Sequence, residues 1–281
     1  MDLTTFLTAG LFAILPALFW LSLYYHKDYR DKEPKKIILQ TFLAGIVAGI
    51  PFLILRHVMM LIDIQSLFFQ GAMSVILFAL LEEMAKLSAA IFIVTRHKMD
   101  FNQIIDGVIY AISAALGFAF IENMFYISSF LMSNSDMADL AYFVAFRSFG
   151  TMLAHTFFSG IAGLIWAYAY FSTQISPFQQ KHILAFELKD FINHEILSLH
   201  IIRNNILKAR PSRRGGHEKK ILVLEGVILA SLLHMLFNYL TTVEVFNTNL
   251  SFLLVPLIMI GFLYISYLFT KKLNQKILKV V

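Results

Sequence analysis

Cysteine is absent from the 281 residues. That excludes disulfides, thiolate metal sites and a cysteine nucleophile. Charge is scarce as well. Asp, Glu, Lys and Arg make up 15% of the chain against 58% hydrophobic residues, where a soluble domain carries roughly a quarter charged. No internal repeat and no composition shift marks a second folded domain. The first apolar segment lacks a basic leading region and a small-residue cleavage site, so we expect no cleavable signal peptide. A net charge of +5 could suggest a nucleic-acid partner. The basic residues are distributed by membrane side rather than in a patch, so we expect no nucleic acid.

What is present is long apolar stretches. A spanning helix needs about 20 such residues. The chain reads as all-α, a polytopic membrane helix bundle of about seven transmembrane helices. They fall near 4–25, 37–56, 66–95, 104–130, 142–172, 221–241 and 251–270. Residues 1–281 read as one membrane domain. Of its 23 Lys and Arg, 20 lie in the 26–36, 96–103 and 173–220 loops and in the tail after 270. The positive-inside rule then predicts a multi-pass protein of the cell membrane, with the N-terminus outside and the C-terminus cytoplasmic.

The 173–220 stretch is the only sizeable extramembrane part. It reads as a cytoplasmic insertion: an amphipathic helix with Ile183, Phe186, Phe191, Leu197 and Ile201 among its apolar positions, then the basic run RPSRRGGHEKK. Two readings stand. One is an interfacial helix on anionic lipid. The other is a docking element for a substrate or partner.

Polar groups inside the apolar segments carry the chemistry. Glu82, Glu83 and Lys86 share the third segment. The fourth holds Phe118 and Glu122 one turn apart, then Asn123; the fifth holds Arg147 and His155. The sixth holds His234 and Asn238, four apart and so on one face. Each has an ordinary explanation. A lone membrane histidine often bonds a neighbouring helix. Lys86 can pair with Glu82 or Glu83 within its own helix. Arg147, near the outer end of its segment, can snorkel to the interface. Asp106 opens a helix and suits its N-terminal dipole. Gly45 and Gly49 make a small-residue packing face.

Together these groups are costly, about 2.5–3.5 kcal/mol for a single ionised side chain at mid-membrane. That cost favours convergence on one wet cavity. Counting about 1.5 Å per residue from the outer segment ends puts Glu122 and His234 about 10–12 Å deep and His155 about 20 Å deep. Glu82 and Glu83 fall deeper still. The cavity is expected in the middle to outer half, opening outward.

Such a set suits peptide hydrolysis. A carboxylate, Glu82 or Glu83, can activate water, with Lys86 holding the charge of the other. His234 and Asn238 can donate to an oxyanion. No cofactor is demanded. Yet His155 and His234, with Glu122, Glu83 or both, could hold a divalent metal such as zinc. The usual His-Glu-x-x-His zinc signature is missing.

At these residues the chain resembles the PrsW family of intramembrane proteases, relatives of the type II CAAX prenyl endopeptidases. The resemblance runs from YYHKDYRDKEPKK through LLEEMAKL (Glu-Glu-x-x-Lys), IDGVIYAISAALGFAFIENMFYI (Phe-x-x-x-Glu) and HTFFSGIAG to LLHMLFNYL (His-x-x-x-Asn). It implies a membrane-embedded endopeptidase acting on a single-span membrane protein. The family's best-known substrate is an anti-sigma factor, given its first extracytoplasmic cut. The resemblance implies catalytic roles for Glu82, Glu83, Glu122, His155 and His234, with Asn238 beside them; from the polar set itself, Lys86, Asn123 and Arg147 are expected in support. The prenyl endopeptidases carry a histidine where this chain has Glu122, which argues against prenylated substrates. Two other classes could use the same polar set: an ion-coupled transporter, with the acids and histidines as a relay, and a non-catalytic scaffold binding transmembrane helices.

Overall fold

The computed structural model describes residues 2–27, 32–61, 72–133, 136–171 and 216–242. All regular structure among them is helical. The helices are α1 (Leu3–Lys27), α2 (Lys35–Leu61), α3 (Ala72–Val94), α4 (Ile104–Leu131), α5 (Met137–Ala145), α6 (Met152–Phe171) and α7 (Gly216–Thr242). A π-helical turn, Phe146–Thr151, joins α5 to α6 without a break.

Among the described residues, five stretches are long and apolar enough to cross a membrane: Leu3–His26, Lys35–Leu55, Ile104–Leu131, Met137–Phe171 and Glu218–Tyr239. Helix α3 has comparable length, 23 residues, but carries Glu82, Glu83 and Lys86 at and just past its middle. The expected span near 251–270 lies outside the described residues, as does the amphipathic stretch through residue 215. The last part of that expected loop is helical instead. Gly216–Lys220 begin α7.

Helix α4 is the hub. It packs most extensively on α6, α2 and α1, while α7 lies against α6 and α3. Small residues make the centre possible. A Cβ at Gly45 would lie 2.0 Å from the Ala114 carbonyl oxygen, and one at Gly117 would lie 1.9 Å from that of Phe42. Helices α2 and α4 therefore meet backbone to backbone, as small faces allow. Gly107 and Gly163 do the same for α4 and α6. The start of α4 is capped by Asp106, whose Oδ2 accepts from the Asn102 and Gln103 amides at 2.8 and 2.6 Å. That assigns Asp106 a structural task.

Candidate active site

The tight seams around α4 bring four helices to one point. Helix α3 supplies Glu82, Glu83 and Lys86; α4 supplies Glu122 and Asn123; α6 supplies His155; α7 supplies His234. All seven are buried. Burying an ion is tolerable only when its partners are close and well aligned, and the contacts meet that demand.

Glu83, fully buried, is held on both oxygens. Oε1 accepts from Lys86 Nζ at 2.7 Å and faces His234 Nδ1 at 2.9 Å. Oε2 accepts from Ser159 Oγ at 2.7 Å. Lys86 Nζ also meets His155 Nδ1 at 2.7 Å and lies 4.7 Å from the centre of the Phe118 ring. An ammonium has only donors, so Nδ1 is the acceptor and His155 Nε2 carries the proton. That nitrogen faces Glu122 Oε2 at 3.1 Å. The same Oε2 accepts from Arg147 at 3.1 Å. The ordinary expectation of a Glu-Lys pair within one helix is met by Glu83 and Lys86, but the pair is built into contacts from two further helices.

Glu82 is placed differently. Its Oε2 stands 3.7 Å from His234 Nε2 and 3.8 Å from Lys86 Nζ. It lines a cleft of ≈ 260 Å³ with Gly49, Phe52, Leu53, Phe78, Phe118 and Glu122. Two carboxylates, Glu82 and Glu122, therefore share one opening walled by phenyl rings. Asn238 lies one turn after His234 and is half-buried.

Glu82, His155 and His234 each offer one donor atom, and the three lie within 4.8 Å of one another. Two imidazoles and a carboxylate are a common zinc shell, so the residue types fit a divalent metal, which would displace the Lys86 contact or the proton now on His155. The carboxylates expected to join the histidines, Glu83 and Glu122, are instead engaged by Lys86 and Ser159 and by Arg147.

Two expectations are corrected. Arg147 does not snorkel. It is buried, donates to Glu122 and, through Nε, to Asn123 Oδ1 at 2.6 Å, and stacks over Tyr126 at 4.2 Å. The depth arithmetic separated His155 from Glu122 by about 10 Å, yet the two side chains touch. The 35-residue stretch Met137–Phe171 begins earlier than expected, so segment ends do not share one level. Ser159 and Phe158, whose ring stacks on His234 at 5.5 Å, escaped the sequence reading. A serine in an apolar helix gives no signal unless its position one turn after His155 is considered.

No solved structure matches this chain. Among curated proteins, it is similar to Protease PrsW of Geobacillus kaustophilus, 30% identical over 161 residues, 57% of this chain and 66% of that protein. Protease PrsW of Oceanobacillus iheyensis is 34% identical over 122 residues, covering 43% of this chain and 53% of the relative. Protease PrsW of Bacillus subtilis is 32% identical over 115 residues, covering 41% and 51%. The chain thus spans between half and two thirds of the length of these relatives. The family model described as PrsW family intramembrane metalloprotease matches residues 33–189. That range includes Glu82, Glu83, Lys86, Glu122 and His155 and ends before His234 and Asn238. The match covers more than half of the chain, and with its several membrane-spanning helices the chain belongs to the PrsW family as a multi-pass membrane protein.

Proposed function

We propose that this chain is an intramembrane endopeptidase that cuts a single-span membrane protein, with Glu82 as the base. The observation that carries the reading is the meeting of Glu82, Glu83, Glu122, His155 and His234, from four helices, beside one cleft. Glu83 has both oxygens bound, which suits a fixed anchor. Glu82 is buried but lines the cleft, the side from which a substrate would approach. It takes a proton as water attacks the peptide carbonyl carbon, then returns that proton to the leaving amine as the C–N bond breaks. His234, and Asn238 one turn on, are the donors for the oxyanion. Lys86 balances Glu83, and Glu122 orients His155.

The metal implied by the family description would be held by Glu82, His155 and His234; with it bound, Glu82 and His234 would be ligands, and the base and oxyanion-donor roles above belong to the metal-free reading. When bound, zinc supplies Lewis acidity and a water that ionises near neutral pH. Purified protein supplied with zinc is expected to take up one ion per chain and His234→Ala to lose it, by metal analysis.

By the family resemblance an anti-sigma factor is the substrate, cut first on the extracytoplasmic side. The loop charges support an outside N-terminus and a cytoplasmic C-terminus, with the 173–220 insertion on anionic lipid. The direct test is cleavage of a single-span substrate in proteoliposomes. Glu82→Gln is expected to lower the rate by about 10²–10⁴-fold, the usual worth of a general base. Wild-type cleavage by folded Glu82→Gln and Glu122→Gln would end the reading.

A further inference from the structure

The π turn between α5 and α6 is the one described departure from α-helical winding in the bundle. Such turns insert one extra residue into a helix and recur at functional sites. Arg147 lies within it and His155 lies eight residues later, just inside α6. In an uninterrupted α-helix, at 100° per residue, these side chains would point about 80° apart. One inserted residue reduces the effective spacing to seven, and the offset to about 20°. The structure shows the consequence. Arg147 and His155 both reach Glu122 Oε2, each at 3.1 Å.

The turn is braced from two sides. From α4, Asn123 Nδ2 donates to the Arg147 carbonyl at 3.1 Å while its Oδ1 receives Arg147 Nε. From α1, Trp20 Nε1 donates to the Ser148 carbonyl at 2.9 Å, and its ring meets Phe149 edge-on at 6.3 Å. Thr151 closes the turn on the Arg147 carbonyl at 2.7 Å. Trp20 is buried and 128 residues away in sequence, with no contact to the carboxylates or imidazoles among the bonds described.

We propose that this π turn sets the rotational phase of the site: it makes Arg147 a positioning residue that fixes Glu122 against His155, with Trp20 as its remote brace. The inference rests on the peptidase reading for its effect on rate, but not for its effect on structure.

The test uses the full chain in proteoliposomes with a single-span substrate. Arg147→Ala is expected to cut kcat about a hundredfold, the usual result of a misplacement of about 1 Å, with KM little changed. Added guanidinium should restore part of it. Arg147→Lys, which keeps the charge but not the planar fork, should fall between. Trp20→Phe should lose about three- to tenfold in rate, on the scale of one hydrogen bond. It should also speed amide hydrogen exchange across 147–152, read by mass spectrometry. Folded Arg147→Ala cleaving like wild type, or a loss that neither guanidinium nor lysine reduces, overturns the positioning role. Unchanged exchange in Trp20→Phe overturns the brace. If Glu82→Gln cleaves like wild type, the peptidase reading fails instead, and the exchange measurement still decides the turn.

Discussion

Helices α1 and α4 are both apolar enough to span a membrane, yet 22% of the most apolar stretch is buried in α1 and 78% in α4. Composition selects both as spanning; it does not say which stands at the centre. Side-chain size does. Helix α4 presents Gly107, Ala111, Ala114, Ala115, Gly117 and Ala119 to its neighbours, which lets three helices close on it. Helix α1 is narrow on one side only. Its buried stripe runs Ala9, Ala13, Ala17, Trp20 and Tyr24, while Leu3, Leu7, Leu11 and Leu15 are each more than half exposed, as befits a lipid-facing surface. Without lipid such an apolar surface would be an association liability.

The contrast can be broken most severely at Gly117. A leucine there has no room beside the Phe42 carbonyl, and backbone atoms cannot swing aside as a side chain can. Gly117→Leu is expected to yield no folded protein, judged by monodispersity after extraction. Next in size is Glu83→Ala. It strands Lys86 without its closest anion and should cost about 3–5 kcal/mol, as removing one member of a buried pair does; thermal unfolding measures it. Ser159→Ala removes a single hydroxyl donor from the same carboxylate and should cost about 1–3 kcal/mol by the same measurement. At the far end stands Gly10→Leu in α1. Nothing lies within 4 Å of a Cβ there, so the melting temperature and any cleavage should stay at the wild-type value. A large effect at Gly10, or tolerance at Gly117, would reverse the assignment of centre and periphery.

The same contrast separates what could be read in the sequence from what could not. Glu82, Glu83, Lys86, Glu122, His155 and His234 were legible because a charge or an imidazole in an apolar segment is costly and conspicuous. Their meeting could be argued from that cost, although their depths could not, since each helix starts at its own level. Gly45 announced the close approach of α2 through its small-residue spacing. Ser159 was silent because a small polar residue in an apolar helix reads as packing. The snorkelling explanation of Arg147 failed for a different reason. Its distance from the segment end suggested an interfacial residue, and hydrophobic periodicity assumes regular winding. The extra residue of the π turn changes the phase of the helix without changing its apolar character.

One consequence of the α2–α4 contact concerns access. The backbones touch at Gly45 and Gly117, and the opening lined by Gly49, Phe52, Leu53, Phe118 and Glu122 begins about a turn further along both helices. The seam is therefore a dead end: it acts as a doorstop below the carboxylates. The recess above it is walled by the rings of Phe52, Phe78 and Phe118, and Glu82 behind them is buried. A peptide that takes this route to Glu82 must part those rings first.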